Sequence, residues 1–285
     1  EELGNKVVDS GSGDCYFEGA SFKNCRSGAI NLYGNSNLVM KNCELRNISG
    51  DSAIYIRENT QALIKNTIFR DISVNTNGAC IKGYSYKGIE LENCLMIGNR
   101  ISGNYYNIIY AENATTIWKL TNCTIINNLD SAGVAGINAN GSEFKLYNTI
   151  LDGRIENGTN LTAYNCATVA AVTGTGNISG VSGVSGTGYL LAGSPCIDAG
   201  TTEKYAAKDI YGIARPAGSG IDIGCVEYID ANGNGISDQL DALYGTLNLT
   251  SDTDGDGLTD GEELILGTSP VNVDSDGDGL NDKAE

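Results

Sequence analysis

Short stretches that alternate apolar and polar residues recur along the first half of the chain. They are rich in Ile, Leu, Val, Thr and aromatic residues, which is typical of β-strands, and each contains an Asn followed by Cys or Thr. These residues are Asn24, Asn42, Asn66, Asn93, Asn122, Asn148 and Asn165. The intervals between them are 18, 24, 27, 29, 26 and 17 residues. Because no helical period is sustained, the pattern predicts repeating short strands.

Intervals of this length, varying by a few residues, indicate a solenoid. They leave too little sequence for crossover helices, so we expect a right-handed parallel β-helix from about residue 10 to 228. The repeated Asn would form a ladder, and the residue after each would form an inward-facing column. Thiols spaced one per coil along a line cannot surround a metal ion, so we expect a buried structural stack with reduced cysteines. The column comprises Cys25, Cys43, Thr67, Cys94, Cys123, Thr149 and Cys166.

Three motifs follow a Gly/Ser-rich stretch after the repeats. They are Ser-Pro-x-Ile-Asp-x-Gly at 194–200, Asp-x-x-Gly-x-x-Arg at 209–215 and Asp-Ile-Gly-x-x-Glu at 222–227. In these motifs the chain resembles β-helix surface proteins whose last coils end in a choice-of-anchor domain. The resemblance implies a secreted or cell-surface protein of bacteria or archaea, with residues 189–228 closing the β-helix. It implies no particular reaction.

Cys196 and Cys225 occupy variable positions in the first and third of these motifs. Two thiols in elements that must pack together suggest a disulfide, which also fits an extracellular location. The alternative is two buried free thiols. We therefore expect Cys196 to pair with Cys225.

The C-terminal region repeats an acidic segment three times, with starts at Asp230, Asp252 and Asp274, each 22 residues after the last. Oxygen-bearing side chains fall at positions 1, 3, 5, 9 and 12 of each segment, with Gly at position 6 and an apolar residue at position 7 whose backbone carbonyl is available. This spacing is that of an EF-hand-type calcium loop. The predicted Ca²⁺ ligands are Asp230, Asn232, Asn234, Ile236, Asp238 and Asp241; Asp252, Asp254, Asp256, Leu258, Asp260 and Glu263; and Asp274, Asp276, Asp278, Leu280, Asp282 and Glu285.

The first loop is expected to bind calcium more weakly, because Asn232 and Asn234 replace carboxylates and Asp241 is shorter than Glu. Short helices ending at Gly245 and Gly267 should follow the first two loops. The tandem unit resembles bacterial thrombospondin type 3 repeats and, less closely, dockerin modules; the former resemblance implies that neighbouring loops share ligands. The predicted organisation is a β-helix over 1–228 and three calcium-binding repeats over 229–285.

The formal net charge of −17 is concentrated in this tail: residues 230–285 carry 14 acidic residues and one Lys. A chain so poor in basic clusters is not suited to nucleic acid or anionic lipid. No apolar run reaches the roughly 20 residues of a membrane span, which argues against membrane insertion.

The chain offers few side chains for catalysis, because it contains no His. We favour a non-catalytic surface or assembly role, with cell-surface glycans, other surface proteins or further copies of the chain as partners. We expect the chain to be a fragment of a longer surface protein or a subunit that joins others end to end. A polysaccharide lyase or hydrolase is the alternative, with a cluster drawn from Asp71, Lys82, Lys87, Glu90 and Glu92.

A glycan-binding module is a third interpretation. Tyrosines are concentrated in the two longest intervals, where extended loops are available for contact. The alternative is that these rings cover the flank of the solenoid. The candidate contact residues are Tyr84, Tyr86, Tyr105, Tyr106 and Tyr110.

Overall fold

The computed structural model describes residues 8–103, 107–112, 116–246 and 250–285. In these residues the chain winds into successive coils, and each strand lies beside the equivalent strand of the next coil, which confirms the predicted parallel β-helix. The strands are β1 (Val8–Ser10), β2 (Cys15–Glu18), β3 (Ser21–Lys23), β4 (Ile30–Leu32), β5 (Asn37–Lys41), β6 (Glu44–Arg46), β7 (Ser49–Gly50), β8 (Ile54–Ile56), β9 (Gln61–Lys65), β10 (Ile68–Arg70), β11 (Ser73–Val74), β12 (Ile81–Gly83), β13 (Ile89–Glu92), β14 (Leu95–Ile97), β15 (Arg100–Ile101), β16 (Ile109–Ala111), β17 (Ile117–Thr121), β18 (Thr124–Ile126), β19 (Leu129–Asp130), β20 (Gly133–Val134), β21 (Ile137–Asn138), β22 (Glu143–Tyr147), β23 (Ile150–Leu151), β24 (Ile155–Glu156), β25 (Leu161–Tyr164), β26 (Ala167–Thr168), β27 (Thr173–Thr175) and β28 (Ile178–Ser179).

Four sheets form the walls of the solenoid. Sheet A has the order β1-β4-β8-β12-β16-β21-β24, and sheet B has the order β2-β5-β9-β13-β17-β22-β25-β27. Sheet C has the order β3-β6-β10-β14-β18-β23-β26-β28, and sheet D has the order β7-β11-β15-β19-β20. Strands of successive coils pair in parallel, whereas β20 runs antiparallel to β19.

The core consists of inward-facing side chains stacked from coil to coil. In sheet B, Leu38, Ala62, Ile89, Trp118 and Phe144 follow one another in register and are all buried. The Trp118 and Phe144 rings stack with their centroids 5.2 Å apart. Because strand residues alternate between faces, one face of each strand is buried and the alternating sequence pattern follows.

The predicted column of Cys and Thr residues is buried throughout. Each side chain donates a hydrogen bond to the carbonyl two residues earlier, as from Cys43 Sγ to Lys41 at 3.2 Å. The preceding Asn adopt positive φ, which Asn tolerates better than most residues. Asn66 Nδ2 donates to Asn42 Oδ1 at 2.9 Å, so the amides form the expected ladder. The repeated Asn-Cys/Thr pair is therefore the turn of each coil.

The closing segment differs from the prediction, because it does not add coils to the solenoid. After β28 the chain turns back, and residues 189–228, here called the strap, lie along the outside of the β-helix. Asn122 Nδ2 donates to the Gly224 carbonyl at 3.3 Å, and Asn148 Nδ2 donates to the Thr201 carbonyl at 3.0 Å. The strap thus binds the ladder amides of the later coils.

The outer face of sheet C explains where the strap packs. On β6 this face carries charged residues, but on β14 both outward residues are apolar, and on β18 they are Thr124 and Ile126. The strap covers them and forms two apolar clusters on the flank. Members of these clusters from the sheet and the strap include Leu95, Ile126, Ile150, Tyr189, Leu190, Leu191, Cys196, Ile223, Cys225 and Val226.

The predicted disulfide between Cys196 and Cys225 is not formed, and this expectation is corrected. Both thiols are free and fully buried. Cys196 packs in one apolar cluster beside Ile223, while Gly224 turns the chain at a φ of 111° and Cys225 packs in the other cluster. Burial raises the pKa of Cys196 to about 11 and that of Cys225 to about 12. Each thiol therefore fills space in its own cluster.

Two short helices follow the first two acidic loops, as predicted. They are α1 (Asp238–Tyr244) and α2 (Asp260–Leu266), and each ends at a Gly in the left-handed conformation. Ile236, Leu240 and Leu264 pack in the same apolar cluster as Leu95 and the strap. The C-terminal region therefore lies against the side of the solenoid.

Candidate metal centre

The second acidic loop is shaped by hydrogen bonds to its first residue. Asp252 accepts hydrogen bonds from the backbone N–H groups of Gly255 at 2.7 Å and Gly257 at 3.2 Å. Both glycines have positive φ, which the sharp turn requires. Thr259 then begins α2 with a capping box completed by Glu262. Local sequence therefore builds the loop and the helix that carries its last predicted ligand.

Three carboxylate oxygens of this loop are buried without a hydrogen-bond partner: both oxygens of Glu263 and Oδ2 of Asp254. Burial, with the charges of Asp254 and Asp256 next, raises the pKa of Glu263 to about 8. Buried carboxylates without partners are costly, and a hard cation with oxygen ligands satisfies them. The donor set of the second loop therefore fits Ca²⁺, with Glu263 available as a bidentate ligand.

The remaining predicted ligands of the second loop surround the same point. Carboxylate oxygens of Asp252, Asp254 and Asp256 lie within 4.8 Å of one another. Asp260 is buried and accepts hydrogen bonds from the Thr253 N–H and hydroxyl. These hydrogen bonds hold the turn of the loop. Asp260 is at position 9, which in an EF-hand-type loop often ligates the cation through a water molecule.

The third loop repeats this arrangement in a more exposed form. Asp274, Asp276 and Asp278 again bring carboxylate oxygens within 4.8 Å, and Asp282 holds Ser275 as Asp260 holds Thr253. The charges of Asp276 and Asp278 contribute most to raising the pKa of Glu285. All five predicted side chains of the loop therefore belong to one acidic cluster.

The apolar residues at position 7 differ in the three loops. Ile236 is fully buried, Leu258 is half-buried, and Leu280 is 54% exposed. The side chain at position 7 is therefore part of a core in the first loop but not in the third.

The second and third loops contact each other directly. The Lys283 N–H donates to Asp256 Oδ2 at 3.0 Å, and Asn281 Nδ2 donates to the Asp256 carbonyl at 3.3 Å. Asp282 is also close enough to contribute to the raised pKa of Glu263. Ordering of one loop is therefore coupled to ordering of the other.

The first loop uses a different set of contacts. Asp230 accepts from the backbone as Asp252 does, and Asp238 Oδ1 accepts from Ala231 N–H at 2.9 Å. Asn232 and Asn234, however, donate their side-chain amides to Asp241, at 2.7 and 2.8 Å. The five predicted side chains are brought together, but their hydrogen-bonding groups already have partners within the loop and its backbone.

A family model described as "Right handed beta helix region" matches residues 5–173, more than half of the chain. The chain belongs to the right-handed β-helix family. A second model, "Bacterial TSP3 repeat", matches residues 252–272 and 274–285, which are the second and third acidic loops. The chain matches no curated protein and no solved structure.

Right-handed β-helix proteins include both polysaccharide-cleaving enzymes and structural proteins, so membership does not specify an activity. Together with thrombospondin type 3 repeats, the fold is typical of extracellular proteins. In the part of the chain that the structure describes, no helix is long and apolar enough to cross a membrane.

The five residues suggested for a catalytic cluster are not brought together in this β-helix. Lys82 lies on sheet A, where it pairs with Glu112 at 3.2 Å. Glu90 and Glu92 lie on sheet B and pair with lysines of the neighbouring coils. Asp71 follows β10 of sheet C, and exposed Lys87 lies in the turn before β13. The side chains therefore occupy separate faces.

The tyrosines divide between exposed and half-buried positions. Tyr86 is 65% exposed, whereas Tyr84 and Tyr110 are half-buried beside the outer face of sheet A. Tyr105 and Tyr106 lie outside the described residues. Sequence reasoning did not include Tyr33 and Tyr55, whose rings lie 5.3 and 4.7 Å from the Arg57 guanidinium. They occur in coils without long insertions, so insertion length gave no signal.

The acids of the strap motifs act as hydrogen-bond acceptors within the strap. Glu227 pairs with Arg215 with both side chains fully buried, and Glu227 Oε2 accepts from the Ala217 N–H at 2.9 Å. Asp209 Oδ1 accepts from the Tyr211 N–H at 2.9 Å. The motifs are therefore explained by the turns they hold together.

Proposed function

We propose that the protein is an extracellular structural or adhesive element of a bacterial or archaeal cell surface. The β-helix would serve as a rigid rod, and the calcium repeats would couple it to the surface or to further domains. One observation carries this proposal: α1 and α2 pack on the flank of the rod, where Ile236, Leu240 and Leu264 share an apolar cluster with Leu95. Calcium ordering is thereby linked to the rod itself.

Charge pairing on the rod supports a non-catalytic role. Lys65 Nζ lies 2.9 Å from Glu92, and Lys119 Nζ lies 2.7 Å from Glu90, each pair joining adjacent coils of sheet B. A general acid or base needs a group placed for proton exchange with a substrate. These side chains instead neutralise each other along the outer wall.

The proposed partners are cell-surface glycans, other surface proteins or further copies of this chain. The net charge of −17 disfavours nucleic acid, since phosphates repel a surface of this sign. Calcium is the proposed cofactor of the repeats. A partner recognised through the repeats would therefore bind only while calcium is present.

Binding of the full chain to isolated bacterial envelopes, with calcium and after chelation, tests the adhesive role. We expect calcium-dependent retention that Glu263→Gln weakens, because the variant removes a carboxylate from the second loop. Glu262→Gln is the matched control, since Gln can also complete a capping box. Equal retention of wild type and Glu263→Gln, with and without calcium, would contradict the proposed coupling. Sedimentation at several protein concentrations tests association between copies.

The enzyme alternative is tested by incubating the protein with acidic and neutral polysaccharides in calcium. A uronate lyase would produce unsaturated ends that absorb ultraviolet light, and a hydrolase would release reducing ends. We expect neither product. Turnover that disappears in Lys82→Ala, but not in the exposed-position control Lys87→Ala, would replace the structural proposal by an enzymatic one.

Glycan binding to the tyrosine face is a second candidate function. Tyr86 and Tyr33 are 65% and 38% exposed, and Arg57 stacks beside Tyr33. Exposed aromatic rings beside hydrogen-bonding groups suit the apolar faces of sugars. Binding to a glycan array should fall in Tyr86→Ala and Tyr33→Ala and persist in Tyr16→Ala, an exposed tyrosine on sheet B.

A further inference from the structure

The three acidic loops have the same backbone frame. In the first loop Asp230 accepts from the N–H groups of Gly233 at 2.7 Å and Gly235 at 3.0 Å. Asp252 and Asp274 do the same with the equivalent glycines of their loops. Any difference in cation binding between the loops must therefore come from the side chains that point into them.

The side chains at position 3 show this difference. In the second loop Asp254 accepts from the Asp256 N–H through Oδ1 at 3.1 Å, which leaves its Oδ2 buried and without a partner. In the first loop Asn232 Oδ1 accepts from the Asn234 N–H at 3.0 Å. The amide oxygen is therefore turned toward the backbone, and the atom turned toward Asp241 is Nδ2. An amide nitrogen is a donor and cannot ligate a cation.

Position 5 repeats the same relation. Asn234 Oδ1 accepts from the Ile236 N–H at 3.1 Å, as Asp256 Oδ1 accepts from the Leu258 N–H at 2.7 Å. The Asn234 amide oxygen is again turned toward the backbone, and Nδ2 donates to Asp241 Oδ1 at 2.8 Å and to the Thr246 carbonyl at 3.1 Å. Both Asn residues of the first loop thus present donors where the acidic loops present acceptors.

The acceptor for these donors is Asp241 at position 12. Its Oδ2 accepts from Asn232 Nδ2 at 2.7 Å, and its Oδ1 accepts from Asn234 Nδ2 and from Thr246 Oγ1, both at 2.8 Å. The equivalent Glu263 has two buried oxygens without partners. Asp241 is equally buried, but its charge is already met by three hydrogen-bond donors.

We infer that the first loop does not bind calcium, and that the side-chain amides of Asn232 and Asn234 replace the cation. This inference differs from the expectation of a third, weaker ion at this loop. The loop stays folded without calcium and forms a permanent joint between the β-helix and the calcium-dependent repeats. Gly235 contributes to that joint, because its carbonyl accepts from the Ala192 N–H of the strap at 3.2 Å.

The consequence is a fixed division between two kinds of loop. Ile236 and Leu240, which belong to the first loop and α1, are fully buried on the flank of the rod. The loops that present unpartnered or exposed carboxylates begin only at Asp252, where the match to the bacterial repeat family also begins. Calcium therefore acts on the distal loops and leaves the joint in place.

The test is the number of calcium ions bound by the full chain, measured by native mass spectrometry and calorimetric titration. We expect two ions, one for each acidic cluster. The double variant Asn232→Asp with Asn234→Asp restores acceptors at both positions and should bind one ion more than wild type. The matched double variant Asp254→Asn with Asp256→Asn should bind one ion fewer. A wild type that binds three ions, one of them lost in Asp241→Asn, would overturn the inference.

Hydrogen exchange of the wild type in chelator provides a readout that needs no variant. The Gly235 and Ile236 amides should remain protected without calcium, whereas the Gly257 and Leu258 amides should become protected only after calcium is added. Exchange of all four amides at the same fast rate in chelator would contradict a calcium-independent joint.

Discussion

The β-helix and the acidic repeats are both built from short sequence units, but their polar groups find partners in different ways. In the β-helix a repeated side chain bonds to the equivalent side chain of an adjacent coil, as Asn66 does to Asn42 at 2.9 Å. In the second acidic loop Glu263 is buried, and neither carboxylate oxygen has a hydrogen-bond partner among the residues that the structure describes. Stacked coils thus complete their own hydrogen bonding, whereas the second loop leaves carboxylate oxygens that a cation would satisfy.

The largest effect is expected from the core of the β-helix. Trp118→Ala removes a fully buried ring that stacks on Phe144, at a cost of roughly 3–5 kcal/mol in the free energy of unfolding. Ile117→Ala on the same strand is the control, because Ile117 is 45% exposed. Denaturant unfolding monitored by circular dichroism measures both variants. If Trp118→Ala also abolished calcium binding at temperatures where the rod remains folded, the two regions would not be separable.

Calcium removal should affect only the other region. At a calcium concentration 100 times the dissociation constant, one ion stabilises its folded loop by about 2.7 kcal/mol, and chelation removes this contribution. Limited proteolysis followed by mass spectrometry should then find cleavage in residues 252–285 and an intact β-helix. The loops contain closely spaced carboxylates that repel one another without the ion. Cleavage within β1 to β28 on the same timescale would contradict the comparison.

A smaller effect is expected where the strap holds the ladder. Asn122→Ala and Asn42→Ala replace residues of nearly equal φ, 50° and 53°, so their backbone strain is matched. Of these two, Asn122 bonds to the strap, through the Gly224 carbonyl and the Ala206 N–H, whereas Asn42 accepts from Asn66 of the ladder. Asn122→Ala should therefore cost about 1–3 kcal/mol more than Asn42→Ala in the free energy of unfolding. Thermal unfolding and hydrogen exchange of the strap measure the difference, and equal values would mean that the strap adds no stability at this site.

The smallest effect is expected on the outer wall. Lys119→Ala breaks the ion pair with Glu90, and both side chains are partly exposed, so the cost should be below about 1 kcal/mol. The hydrogen bond from Lys119 lowers the pKa of Glu90 below its ordinary value of 4.5. The contribution is therefore present above pH 4.5 and is lost as the pH falls through the lowered pKa. Unfolding at neutral pH and at pH 3, in low and high salt, checks the sign.

The β-helix was predictable because its turn chemistry is local. Each Asn takes a left-handed conformation, and each following Cys or Thr donates a hydrogen bond to the carbonyl two residues before it. The Asn-Cys or Asn-Thr pair is therefore repeated along the sequence. The alternation of apolar and polar residues along the strands follows because one face of each sheet points into the core. The turns of the acidic loops and the helices after the first two were predictable for the same reason, since the spacing of acidic residues and glycines is fixed within 12 residues.

The path of the strap was not predictable, because its contacts join residues far apart in sequence. Asn122 and Gly224 are separated by 102 residues, and no local pattern connects them. A partial signal existed in sheet C, where the outward residues change from Glu44 and Arg46 in β6 to Leu95 and Ile97 in β14. That change indicates a covered face without identifying what covers it. The disulfide prediction failed because proximity of two motifs does not fix the direction of two side chains.

Whether the first acidic loop binds an ion was not predictable from the sequence, for a different reason. Its spacing agrees with a calcium loop, and Asn is an accepted ligand type at such positions, so the sequence alone allows an ion. The distinction lies in which end of each amide faces the backbone, as at Asn232 and Asn234. Only the hydrogen-bond network assigns that orientation.

The reversal of the chain after β28 has a mechanical consequence. Tension applied through the acidic repeats reaches the rod at its side, through α1 and the strap, rather than through its last coil. The load is then shared by the apolar contacts at Leu95 and by amide bonds at several rungs, including those of Asn122 and Asn148. A rod loaded at its side in this way does not have to unwind coil by coil from one end.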